Sequence, residues 1–191
     1  MPYFAQYTKA VSDALLNMKV TIDTGEEKSA DEGLAAWCDI TCDIKANNAT
    51  MFFAGNGASA MMAGHMAADA SKNGGFRGLA FNDAALMTAI GNDISYDEVF
   101  ALPLGRFADP GDVLVTISSS GNSPNIIRAI KKAREIGLTV VTVSGMGADN
   151  RSRAMGDLNF YVPAATYGIA EASHQVLLHG WLDRFMEMDG R

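Results

Sequence analysis

Five short, unbroken apolar segments set between amphipathic stretches constrain this chain more than any other feature. Residues 50–54, 77–81, 112–117, 138–143 and 158–162 each read as a strand, and none shows a sustained polar–apolar alternation. Successive side chains of a strand point to opposite sides, so a strand without alternation is covered on both faces. Between these segments apolar residues recur at helical spacing, over about 59–72, 83–90, 96–107, 123–136, 150–155 and 168–188. Strands that alternate with helices build a parallel sheet. The expected fold class is therefore α/β, a doubly wound five-stranded parallel sheet of flavodoxin-like or Rossmann-like type. Ligands of such sheets sit beyond the carboxyl ends of the strands.

Two further helical patterns, at 2–18 and 29–47, precede the first strand. They lie outside any βαβ unit and read as an N-terminal helical hairpin, residues 1–48, whose apolar face needs a partner surface. Residues 49–191 form the α/β core, and with no repeat or long linker the 191 residues read as one domain. The net charge of −7 argues against nucleic acid as a partner, which calls for a surplus of Lys and Arg. No run approaches the ~18 apolar residues of a membrane span, and no basic-then-apolar leader opens the chain, so the expected location is the cytoplasm. Cys38 and Cys42 are four apart with no second pair to complete a metal site, and read as reduced, helix-packed thiols.

Two strand-to-helix loops carry the chemistry. After strand 112–117 comes Ser118-Ser119-Ser120-Gly121-Asn122-Ser123, with Pro124 at the first helical position. Hydroxyls and free amides at a helix N-terminus bind an anion without any Lys or Arg. One serine would be only a cap or turn residue. Four of them, Ser118, Ser119, Ser120 and Ser123, favour a phosphate. The loop lacks the Gly-Lys-Ser/Thr of a nucleotide-binding P-loop, and Gly55-Asn56-Gly57-Ala58-Ser59 lacks the third glycine of a dinucleotide fingerprint. That second loop still presents amides and Ser59 toward a ligand.

The three histidines are His65, His174 and His179. His65 and Asp69 are i and i+4 on one helix. Glu171 and His179 are eight apart on the last, with His174 on the same flank. Such pairs are either solvated partners and caps or the halves of a tetrahedral metal site.

Gly55-Asn-Gly-Ala-Ser59, Gly91-Asn92-Asp93 and Ile117-Ser-Ser-Ser-Gly-Asn-Ser123 resemble, in order, the motifs of the sugar isomerase (SIS) domain, and among its branches the phosphoheptose isomerases. The resemblance covers about residues 30–185. It implies aldose–ketose isomerisation of a sugar phosphate, most directly sedoheptulose 7-phosphate. It implies a homotetramer with central N-terminal helices and active sites between subunits. It also implies zinc on His65, Asp69, Glu171 and His179, with Asp69 and His179 moving the proton. Asn56, Ser59 and Asp93 would contact sugar hydroxyls. Asp69 stands where the family has Glu, and Glu171 where it has Gln. Tyr167-Gly168-Ile169-Ala170 replaces a Tyr-Ala-Asp-Arg segment, leaving Lys72 or Arg77 to supply a cation. Relatives that act as adaptors for a replication initiator, or a sensor using the same pocket, are the non-catalytic alternatives. The adaptors lack the final His that this chain keeps as His179.

Overall fold

A computed structural model describes residues 2–190. In chain order its elements are α1 (Tyr3–Leu16), β1 (Lys19–Ile22), β2 (Glu27–Lys28), α2 (Ala30–Ala46), β3 (Thr50–Gly55), α3 (Ala58–Asp69), β4 (Arg77–Ala80), α4 (Ala84–Asp93), α5 (Ala101–Phe107), β5 (Val113–Ser118), α6 (Pro124–Ile136), β6 (Thr139–Gly145), β7 (Leu158–Val162) and α7 (Tyr167–Met188). A π-helical turn, Ala70–Gly74, extends α3.

All strands join one sheet in the order β2-β1-β7-β6-β5-β3-β4. From β7 to β4 every pairing is parallel, which gives the five expected strands. Phe52 and Phe53 show why these segments read as continuous apolar runs. Phe53 packs with Trp37, Phe160 and Trp181 beneath α2, α3 and α7, while Phe52 packs with Leu114, Val140 and Ile130 on the opposite face. Both faces are core.

The strand count requires a correction, from five to seven. Residues 1–48 are also not a plain helical hairpin, because β1 and β2 form an antiparallel β-hairpin between α1 and α2 and add to the sheet edge along β7. The physical cause is local. Lys19-Val-Thr-Ile22 is β-branched, Gly25 turns the chain at φ +83°, and Val20 is buried beneath α2. Gly33 permits that approach, since a Cβ there would stand 2.6 Å from Val20 Cγ1. The helix α2 starts at a capping box in which Ser29 and Glu32 satisfy each other's backbone N–H. Trp37 and Trp181 stack at 4.4 Å and bind α2 to α7, with Trp181 Nε1 donating to Thr41. Cys38 is buried in this layer and Cys42 is exposed; neither is in a disulfide.

Candidate active site

The chain leaves β3 toward β4 and then returns to the other side of β3 to form β5. The carboxyl ends of β3 and β5 therefore diverge at the switch point of the sheet, where an open α/β fold leaves a crevice. Both loops singled out in the sequence sit there. The crevice is lined by Asn56, Ser59, Ile117, Ser118, Ser119, Ser120, Ser123, Tyr167 and Glu171.

The N-termini of α3, α6 and α7 all open beside this cavity, and each brings unpaired N–H groups and a partial positive charge. Ser123 occupies the N-cap position of α6, yet its side chain makes no capping hydrogen bond. Its hydroxyl is thus available to a ligand. Ser119 Oγ is buried with no hydrogen-bond partner, which marks it as a donor awaiting one. Ser118 Oγ instead accepts from Gly121 N at 3.2 Å, and Ser120 Oγ from Asn122 N at 3.3 Å, which shapes the turn. Gly121 has φ +61°, and a Cβ there would lie 2.0 Å from Asn150 Oδ1. Asn150 in turn donates to Gly147 O at 2.8 Å, while Ser152 N donates to Gly121 O at 2.9 Å. The serine loop is held from below by the loop after β6. Gly55 fulfils a similar need, since a Cβ would strike the Ser59 carbonyl at 2.6 Å.

Asn56 and Asn125 exchange two side-chain hydrogen bonds of 2.8 and 2.9 Å, joining the two loops across the crevice. Sequence reasoning missed Asn125. Its signal was a polar residue on the apolar stripe of α6, in line with Ala129 and Ala133.

His65, Asp69 and His179 come together between α3 and α7, with candidate ligand atoms all within 4.8 Å of one another. His65 Nε2 lies 3.1 Å from Asp69 Oδ2, Asp69 Oδ1 accepts from Asn73 at 2.9 Å, and the two imidazole rings meet edge-on at 5.3 Å. Two imidazoles and one carboxylate fit a divalent metal such as zinc, with a coordination position left for a further ligand. Glu171 stands apart from this trio and faces the serine-loop cavity. His174 is fully buried, and neither ring nitrogen makes a well-formed hydrogen bond; desolvation lowers its pKa to about 4, opposed weakly by the Ser144 backbone.

Within one chain neither Lys72 nor Arg77 lines the cavity. Arg77 pairs in register with Thr50, at the start of β3, and its Nη1 donates to Asn48 O at 3.0 Å. It lies at the opposite sheet edge from the serine loop. Lys72 sits in the turn at the far end of α3. Helix direction decides this: α3 runs from the ligand edge of the sheet to the other, carrying both residues away. Among the described residues the cavity lining contains no Lys or Arg. Asp93 is exposed near the end of α4, bonded to Asn92 and outside the lining.

This fold and loop pair define a SIS-domain protein: the SIS-domain family model matches residues 9–145, and the chain belongs to that family. Within it, the chain is similar to phosphoheptose isomerases. It is 36% identical over 148 residues to that of Campylobacter concisus, covering 74% of this chain and 78% of the relative. It is 35% identical over 162 residues to that of Bordetella avium, covering 80% and 81%. The structure of the phosphoheptose isomerase from Neisseria gonorrhoeae superimposes with a TM-score of 0.81 at 29% identity, over 96% of this chain and 95% of the other.

Proposed function

We propose that this protein is a sugar-phosphate aldose–ketose isomerase that interconverts sedoheptulose 7-phosphate and glycero-manno-heptose 7-phosphate. One observation carries the reading: a hydroxyl-lined anion cradle and a His-Asp-His cluster share the same two helices, α3 and α7. Ser59 lines the cradle on the first turn of α3 and His65 follows six residues later, about 9 Å along the axis. A seven-carbon ketose with phosphate at one end and its carbonyl at the other spans on the order of 8–10 Å by bond lengths. A long sugar phosphate matches that separation.

The serine loop and the helix N-termini hold the phosphate, with Ser119 and Ser123 donating hydroxyls. In the ketose-to-aldose direction Asp69 acts as base and removes a proton from C1. His179 donates to O2 as the carbonyl is lost, and later accepts the O1 proton as the aldehyde forms. Asp69 returns the proton to C2, so no net proton is gained or lost. His65 and Asn73 hold the Asp69 carboxylate in place. A divalent metal, zinc by donor type, would be held by His65, Asp69 and His179, and would supply Lewis-acid polarisation of the carbonyl. Asn56 and Ser59 would read sugar hydroxyls.

We also assign residues 1–191 to one functional unit that works as a homotetramer in the cytoplasm, where its free thiols stay reduced. Tyr3 and Phe4 on α1 are 79% and 74% exposed, and Leu16 is 82% exposed, apolar surface that packing against other copies would cover. The test is incubation of chelator-stripped and zinc-reloaded protein with sedoheptulose 7-phosphate, followed by separation of aldose from ketose. Zinc-dependent aldose formation is expected. A pure, zinc-loaded protein that yields no aldose would overturn the reading.

A further inference from the structure

We propose that Asn125 is a positioning residue for the sugar-phosphate site: it locks the Asn56 side-chain amide in one orientation, so that Asn56 meets the substrate only as an N–H donor. The assignment deepens the isomerase reading above and rests on it for the substrate, sedoheptulose 7-phosphate.

A side-chain amide carries two donor hydrogens and an oxygen with two acceptor positions, and a half-turn exchanges its two ends without changing its shape. What an asparagine offers a ligand is therefore open unless its neighbours fix it. At Asn56 they do. Asn56 Nδ2 donates to Asn125 Oδ1 at 2.9 Å, and Asn125 Nδ2 donates back to Asn56 Oδ1 at 2.8 Å. Such a reciprocal pair uses the edge of each amide on which N–H and C=O lie side by side, so neither can reverse alone. Their common sense is set from the backbone. Ile126 N–H, which also serves Ser123 O, donates to Asn125 Oδ1 at 3.0 Å. A backbone N–H can only donate, so reversing the Asn125 amide would set two donors against each other. Asn125 is 2% exposed, which makes that reversal costly.

Tyr96 completes the arrangement. From the short turn Tyr96–Glu98 its hydroxyl donates to Asn56 Oδ1 at 3.3 Å. The Asn56 oxygen then has both acceptor positions filled, by Asn125 and by Tyr96, and one of its N–H groups is taken by Asn125. Among the described residues, the one polar position of this side chain left without a partner is its second N–H, which points away from the edge shared with Asn125. Asn56 lines the cavity. A donor presented there selects an oxygen acceptor of the sugar phosphate. It adds to the hydroxyls of Ser119 and Ser123 in a lining that has no Lys or Arg among the described residues.

The experiment is a double-mutant cycle on the dissociation constant for sedoheptulose 7-phosphate. Titration calorimetry on the full-length, chelator-stripped protein in its native assembly reads binding apart from zinc-dependent turnover. In the wild-type background, Asn125→Ala is expected to weaken binding about fivefold, the worth of one oriented hydrogen bond. In the Asn56→Ala background the same change is expected to alter binding by less than about twofold, since no amide remains to be oriented. Thermal unfolding checks that each variant is folded. Asn125→Ser keeps an oxygen near Ile126 N but falls one atom short of Asn56; it is expected to match Asn125→Ala and replaces it in the cycle should the alanine variant not fold. A loss of equal size in both backgrounds marks Asn125 as a mere tie between loops and overturns the assignment, as does unchanged affinity in the wild-type background. A wild type that binds sedoheptulose 7-phosphate without isomerising it fails only the proposed function, and the cycle still decides the role of Asn125. A wild type that does not bind it overturns both.

Discussion

Ser119 and His174 are both buried polar side chains without a settled partner, and they predict opposite behaviours. An unpaired buried hydroxyl costs about 1–3 kcal/mol, and Ser119 spends that cost in the ligand-free protein in order to donate to a phosphate. Ser119→Ala should therefore leave the free protein as stable or slightly more so, while weakening sugar-phosphate binding about tenfold; thermal unfolding and titration calorimetry read the two effects separately. His174 has no ligand to wait for. Its burial depresses the folded-state pKa to about 4 from 6.5, so the unfolded chain takes up a proton that the folded one refuses. Stability is complete above pH 6.5 and falls as pH drops toward 4, by about 3 kcal/mol from this residue alone. Denaturant unfolding of metal-free wild type and His174→Leu across that window should show a flatter curve in the variant. Equal slopes would show that other groups set the acid sensitivity. Neither behaviour was legible in the sequence, because a lone Ser or His does not reveal whether its partner is protein, ligand or nothing.

At the scale of elements, legibility followed burial. Four of the five parallel strands were readable because both faces of β3, β5, β6 and β7 are core, so the run of Val, Ile, Leu and Phe is continuous, whereas β4 lies at the edge and is partly exposed. The hairpin β1–β2 was not readable. It has four and two residues, lies at the sheet edge and is partly exposed, so its alternation is too short to separate from a helix end. The two catalytic-side loops were readable because glycine, serine and proline punctuate them. The pairing of α3 with α7 was readable only as i,i+4 spacing, which brought out His65, Asp69 and His179, while Glu171 lines the serine-loop cavity. What anchors the edge hairpin can be tested through Gly33, which faces Val20 and Phe160. Ala gains about 1 kcal/mol over Gly in a helix, but here the new methyl would stand 2.6 Å from Val20 Cγ1. Gly33→Ala should be destabilising by about 1–2 kcal/mol net. Combined with Val20→Ala it should cost at least about 1 kcal/mol less than the sum of the single changes, as a double-mutant cycle would measure. Additive costs would mean that α2 shifts freely and does not seat the hairpin.

The whole molecule carries a net charge of −7, yet its proposed substrate is a phosphate dianion. A protein that captures such an anion with Lys and Arg gains from long-range attraction and loses affinity as salt screens it. Here the cavity lining has no Lys or Arg among the described residues, and its one charged member is Glu171. Capture rests on hydroxyls and helix N-termini, which act only at contact distance and in a partly dehydrated crevice. The far field of the protein is repulsive, and salt weakens that repulsion. Raising ionic strength from about 0.01 to 0.15 M shortens the screening length from roughly 30 to 8 Å. The apparent second-order rate constant for sedoheptulose 7-phosphate should then hold steady or rise slightly, with kcat unchanged. Steady-state kinetics in a non-phosphate buffer, with sodium chloride as the variable, measure this directly. A steep fall with salt would show that a cation from another copy reaches the pocket, so that the assembly completes a site which one chain leaves without a cation. Glu171→Gln provides the control: removing the one fixed negative charge among the described residues that line the cradle should lower KM at low salt and narrow the difference at high salt. The sign of the salt effect therefore distinguishes a pocket complete in one subunit from one finished by its neighbour.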